Sequence, residues 1–249
     1  MAINELKISS HFITLKTDTG LPLANQEIGA FEARPTDLSE VKAGLIVIQE
    51  IFGVNHHVQE VAKNYARLGY WVIAPAYFDH VKKNVELGYD DKDMQEGFKL
   101  MQEIGFPQFE ADTKIAGLAL QKKLSELPGT PPKIGVVGYC LGGSLAWAVS
   151  CHTNGIFSAA SAYYGSQVIQ TVDDQPKNPI IFHFGKQDHH IPLEKVSAFQ
   201  KAHPDLSVYL YDADHGFNNN DKKSFNAPSA ELALERTLSF FNTHLRNIR

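Results

Sequence analysis

The stretch Lys133-Ile-Gly-Val-Val-Gly138-Tyr-Cys140-Leu-Gly142-Gly143, running on into Ser144-Leu-Ala-Trp-Ala-Val, decides how this chain is read. A β-rich apolar run ends on Gly138, a cysteine follows two residues later, and a helix-like segment starts at once. The pattern is G-x-S-x-G with sulfur in place of the hydroxyl. It marks a sharp strand-to-helix turn that needs small residues two before and two after its apex. Gly138 and Gly142 meet that need. Such a turn lifts the Cys140 side chain above the sheet edge, toward the free N–H groups of the next helix, which favour a thiolate. A buried cysteine can also be a small hydrophobic filler, so the segments around it must distinguish the two.

Those segments alternate between strand and helix. Gly44-Leu-Ile-Val-Ile48 is a continuous apolar run, as expected of a strand covered on both faces. Val58 to Leu68 has helical periodicity and stops at Gly69; Tyr70-Trp-Val-Ile-Ala74 is a further buried strand closed by Pro75. A polar connection leads to an amphipathic helix over 112–127. Beyond the central turn come a weak strand near 158–163, a strong one at 179–184, a helix over 193–202, a strand over 206–211 and a last helix from about 229 to 244. Before all of these, His11 to Lys16 and Gln26 to Ala33 read as an antiparallel hairpin turning at Asp18-Thr-Gly20. Strands spaced by helices predict an α/β fold, a mostly parallel sheet with helices on both faces. Nothing divides the 249 residues, so 1–249 is read as one domain.

Bulk properties exclude several classes. The hydrophobic content of 43% and charged content of 20% are those of a globular protein with a large core. A net charge of −5 gives no basic footprint for nucleic acid and no polybasic membrane patch. No apolar run approaches the roughly 20 residues that span a bilayer. The segment Met1-Ala-Ile-Asn-Glu-Leu-Lys lacks the features of a secretory signal. Cys140 and Cys151 are separated by a helix and are expected to be free thiols, so a cytoplasmic location is the expectation.

In a parallel sheet, ligands bind beyond the carboxyl ends of the strands. A nucleophilic Cys140 therefore needs partners just past later strands. Strand 179–184 runs into Gly185-Lys-Gln-Asp188, and strand 206–211 runs into Asp212-Ala-Asp214-His215. Nucleophile, acid and base in that order is the order of α/β-hydrolase folds. His215 is expected to take the thiol proton, and Asp188 to fix the imidazole and stabilise its charged form. His189 and His190 also follow the strand but share the acid's loop. His56, His57 and His183 show no metal-ligand spacing, so no metal is expected. Straight after the first central strand comes Gln49-Glu50-Ile51-Phe52-Gly53. The loop at that place supplies one oxyanion-hole N–H, and the residue after the nucleophile supplies the other, which assigns Ile51 and Leu141. Glu50 would lie beside the developing charge, where a carboxylate needs a task.

Together, the Q-E-I-F-G segment, the G-Y-C-L-G-G turn and the triad order resemble the dienelactone hydrolase (carboxymethylenebutenolidase) family over almost the whole chain. The resemblance implies an eight-stranded α/β-hydrolase sheet, no cofactor, and hydrolysis of a strained enol-lactone. It implies Cys140, Asp188 and His215 as the triad, with Glu50 acting on the thiol when substrate arrives. The family also carries a substrate-carboxylate Arg after the Trp71–Pro75 strand and another beyond the catalytic His. Here those regions read Ala76-Tyr77-Phe78-Asp79-His80-Val-Lys82-Lys83 and His215-Gly-Phe217-Asn-Asn219-Asn-Asp-Lys222, with no Arg in either. Tyr77, Phe78, His80, Phe217 and Asn219 become the candidate pocket lining. The leading expectation is a hydrolase of small esters or lactones. The alternative is a small-molecule-binding or sensor protein on the same scaffold.

Overall fold

The computed structural model describes residues 5–16, 20 and 27–246. Eight strands form one sheet: β1 (Ile8–Lys16), β2 (Glu27–Pro35), β3 (Ala43–Ile48), β4 (Tyr70–Pro75), β5 (Ile134–Tyr139), β6 (Ala159–Tyr163), β7 (Ile180–Gly185) and β8 (Ser207–Tyr211). Their spatial order is β1-β2-β4-β3-β5-β6-β7-β8. Strands β3 to β8 run parallel, and β2 pairs antiparallel with both β1 and β4. The central runs are strands because every residue of β3, β4 and β5 is buried, with no exposed face to alternate. The expected hairpin is therefore present as a β1–β2 pair. Its proposed turn, apart from Gly20, lies outside the described residues, as does Gln26.

Six helices complete the described fold: α1 (His56–Arg67), α2 (Asp91–Ile104), α3 (Phe106–Ser125), α4 (Leu141–His152), α5 (Leu193–Ala202) and α6 (Ala227–Leu245). Asn55 caps α1 by accepting from the Val58 N–H at 3.3 Å, a bond of a kind worth about 1 kcal/mol. That cap starts the helix two residues before the expected Val58.

One expectation needs correcting. The polar connection before residue 112 holds a whole helix, α2, and the first turns of α3. Asp90 caps α2 through the Asp93 N–H at 2.8 Å, and Gly105, with φ of 79°, ends it. Pro107 then opens α3, where its missing N–H costs nothing. Only three residues of α2 are buried, Gly97, Leu100 and Ile104. Gly97 is small for a reason: a Cβ there would collide with the Ile51 carbonyl. The helix thus packs directly on the Gln49–Gly53 loop.

The chain steps outward from β3 to β4 and then crosses back to place β5 on the other side of β3. Loops leaving β3 and β5 therefore diverge, opening a crevice at their carboxyl ends. The Gln49 loop and the Cys140 turn flank it.

Candidate active site

Cys140 stands at the N-terminal cap of α4 with φ of 56° and ψ of −111°, left-handed backbone for a residue with a side chain. Such a conformation costs of order 1–3 kcal/mol and persists only where the surroundings enforce it. Here the enforcement is steric. A Cβ on Gly138 would meet the Gly142 carbonyl, and one on Gly142 would meet the carbonyls of Ile48 and Gln49. With both glycines in place, the Cys140 N–H donates to Tyr163 O at 3.0 Å and the Gly142 N–H to Gln49 O at 3.1 Å. The apex is thereby fastened to β6 on one side and to the β3 loop on the other.

Asp188 and His215 come to this apex from the ends of β7 and β8. The Asp188 side chain is fully buried; its Oδ1 accepts from the His190 N–H at 2.8 Å and its Oδ2 from His215 Nδ1 at 2.7 Å. That second bond assigns the Nδ1 proton and leaves Nε2 to face Cys140. Cys140 acts on the same imidazole by hydrogen bonding and, as thiolate, by charge. Burial works against the imidazolium, but Cys140 and Asp188 outweigh it and lift His215 from 6.5 to about 10. His190 touches the ring edge-on, with centroids 5.3 Å apart, and leaves the Asp188 bond to His215.

Glu50 is 2% exposed. Its Oε2 accepts from Asn219 Nδ2 at 2.6 Å, while its Oε1 has no hydrogen bond and lies 3.9 Å from Lys222 Nζ. Asn219 also donates to Tyr89 OH at 3.0 Å. Lys222 reaches the carboxylate by crossing Gly216 and the Phe52 ring, 5.4 Å from its centroid. A cation therefore stands beside Glu50 although the segment after His215 carries no arginine. Among the described residues, the Ile51 and Leu141 N–H groups make no backbone hydrogen bond; Leu141 opens α4, where a helix has no internal acceptor.

The lining candidates separate into two groups. Asn219 bonds Glu50, and Phe217 is fully buried against Tyr164 and Tyr211 at 5.4 and 5.1 Å. Tyr77, Phe78 and His80 are buried and turn into α3 instead. Tyr77 OH bonds Thr113 Oγ1 at 2.8 Å, Phe78 packs edge-on to Phe109 at 6.3 Å, and His80 Nε2 bonds Asp112 Oδ2 at 2.7 Å. Lys82 pairs with Glu96 at 2.9 Å. No group of three His, Cys, Asp or Glu among the described residues is arranged to hold a metal ion.

Sequence reasoning passed over Tyr164. It is fully buried, has φ of 39°, and its ring lies 5.0 Å from that of His215. Burial raises its hydroxyl well above the usual range, and the charges of Glu50 and Cys140 push the same way. The available signal was Tyr163-Tyr164-Gly165 at the end of the weakest predicted strand.

A match to the dienelactone hydrolase family model spans residues 28–245. This chain belongs to that family. It is 31% identical over 233 residues to the carboxymethylenebutenolidase of Pseudomonas putida, covering 89% of this chain and 94% of that one. A Klebsiella pneumoniae protein assigned to the dienelactone hydrolases superposes with a TM-score of 0.81 at 24% identity, covering 96% of this chain and all of that one. A Pyrococcus furiosus esterase superposes with a TM-score of 0.67 at 13% identity, covering 96% and 94% of the two chains. These structures share the α/β-hydrolase fold that the sheet order already describes. No helix among the described residues of this family member is long and apolar enough to cross a membrane.

The two thiols differ in a way that can be measured. Burial pushes Cys151 up to about 12, with Asp174 adding to the effect, whereas Cys140 is half-buried beside an imidazolium. Limiting iodoacetamide at pH 7.5 is expected to alkylate Cys140 at least about 100-fold faster than Cys151. Peptide mapping after a timed quench checks it; comparable labelling would contradict the contrast.

Proposed function

We propose that this member of the family hydrolyses small esters or lactones through a thioester acyl-enzyme carried by Cys140. The observation that carries the reading is the His215–Asp188 bond of 2.7 Å beside a strained cysteine at a helix N-terminus. His215 Nε2 takes the Cys140 thiol proton, sulfur attacks the substrate carbonyl carbon, a C–S bond forms, and the carbonyl electron pair moves to oxygen. The Ile51 and Leu141 N–H groups receive that oxyanion. Collapse breaks the C–O bond, and His215 delivers its proton to the leaving oxygen. Water then gives a proton to His215 and attacks the thioester. The C–S bond breaks, and the acid leaves with the thiolate restored.

An enol ester or lactone suits this sequence of steps. Its leaving group can itself act as a base in the second half of the reaction. Glu50 takes the role of coupling the thiol to the substrate. Asn219 holds one of its oxygens and Lys222 stands near the other, so an anionic substrate drawn to Lys222 would compete for the same cation.

The test is intact mass spectrometry after rapid mixing with p-nitrophenyl acetate. A transient gain of one acetyl group is expected, mapping to the Cys140 peptide and absent from Cys140→Ala. Turnover with no adduct on that peptide would remove the thioester step. Tight binding of a small molecule with neither adduct nor turnover would favour a sensor on this scaffold.

A further inference from the structure

A cleft of about 290 Å³ runs between α1 and α6, on the helix layer behind the Cys140 turn. Val61 and Tyr65 of α1 and Leu68 at its C-terminal cap line it, and Leu234 of α6 forms the opposite apolar wall. Tyr139, the residue before Cys140, closes its inner side. The Tyr65 hydroxyl is buried there and makes no hydrogen bond among the described residues. None of these groups has a part in the proposed hydrolysis.

His57 lines the same cleft and is 5% exposed. Its Nδ1 meets Asn220 Oδ1 at 3.0 Å, so the amide oxygen accepts and the proton sits on Nδ1. Nε2 of a neutral imidazole is then a lone-pair acceptor. It is buried and has no partner among the described residues. Buried polar atoms are nearly always satisfied, so an orphaned acceptor facing an apolar cleft marks the place of a donor. A ligand hydroxyl can supply that donor in place of water.

Charge narrows the ligand further. Glu60 and Glu231 line the cleft, no lysine or arginine does, and Glu60 is already paired with Lys63 at 2.7 Å. An anion is disfavoured there. The volume suits a single substituted ring, and the walls are aliphatic and aromatic. We propose that this cleft is a second, non-catalytic binding site for a neutral aromatic alcohol, whose hydroxyl donates to His57 Nε2. Asn220, which fixes His57, adjoins Asn219, whose amide holds Glu50 at 2.6 Å. Occupancy therefore bears on Glu50 through two consecutive residues. The binding claim stands apart from the hydrolase reading; the coupling to turnover rests on it.

The probe is p-cresol, used with the whole chain. Calorimetry is expected to show one site, weakened at least tenfold by Leu234→Trp, which fills the cleft, and by His57→Phe, which keeps the ring and removes the acceptor. With p-nitrophenyl acetate at saturation, p-cresol is expected to change kcat at least twofold in the native protein and to leave Leu234→Trp unaffected. Equal binding to all three proteins would overturn the site. A purely competitive rise in KM, the same in Leu234→Trp, would put p-cresol over Cys140 and overturn it as well. Calorimetry needs no turnover, so failure of the hydrolase reading leaves the binding arm decisive. His57→Phe keeps it so if the tryptophan variant does not fold.

Discussion

Cys140→Ala is expected to lower kcat/KM for p-nitrophenyl acetate by at least about 1,000-fold, a loss of roughly 4 kcal/mol of transition-state stabilisation. The variant keeps the steric frame of the turn, since Gly138 and Gly142 are untouched and alanine carries the same Cβ. Its melting temperature is therefore expected to stay within a few degrees of the native value, and circular dichroism checks that the loss is chemical. Asp188→Asn is expected to cost a similar factor by another route. The carboxylate oxygen now accepts the His215 Nδ1 proton. An amide can present N–H there instead, moving the ring proton to Nε2 and removing the base. Groups that act as a unit do not add, so the double variant is expected to be no worse than the poorer single one. Native-like activity in Cys140→Ala would end the nucleophile assignment. Additive losses in the double variant would mean that Asp188 acts outside the triad.

The parts of this site that the sequence displays are those built from local rules. A strained turn demands its glycines within two positions of the apex, and a parallel sheet delivers partners at strand ends. Cys140, Asp188 and His215 could therefore be named from spacing alone. What escaped depends on contacts across the fold. His80 pairs with Asp112 32 positions away, on a helix whose first turns were read as loop. Lys222 reaches Glu50 by folding back over Gly216, a path that no periodicity encodes. Tyr164 takes its left-handed conformation just past the end of β6, where its N–H donates to His183 O on the neighbouring strand at 2.8 Å. Helix α2 escaped for a different reason: Met94, Phe98 and Met101 do recur at helical spacing, but they sit among charged residues and only Gly97, Leu100 and Ile104 are buried, so the segment read as a polar connection.

The acid limb of stability is expected to be governed by His183, a residue with no part in the chemistry. It is fully buried between β6 and β8, with Nδ1 on Tyr211 OH at 2.7 Å. Its Nε2 meets Ser161 Oγ and Thr237 Oγ1 at 3.2 and 3.1 Å, and it stacks on Tyr163 at 4.3 Å. Burial first, and then the Arg236 charge, push it from 6.5 down to about 3. The folded protein thus keeps this ring neutral while the unfolded chain protonates it below about 6.5. Stability is whole above that pH and declines toward pH 3, by about 1.4 kcal/mol per unit and roughly 4 kcal/mol across the window. His215 has the opposite sign. Its raised value gives stability that is present below 6.5 and lost as pH rises toward 10. The two histidines together put the stability maximum near pH 6.5. Urea unfolding at pH 8, 6.5, 5.5 and 5 reads both limbs, staying above the range where most carboxylates titrate. In His183→Gln the decline between 6.5 and 5 is expected to flatten by about one proton. Stability at pH 8 falls by about 1–3 kcal/mol, because glutamine cannot serve all three hydroxyl partners at once. An acid limb that keeps its slope in His183→Gln would assign the proton elsewhere.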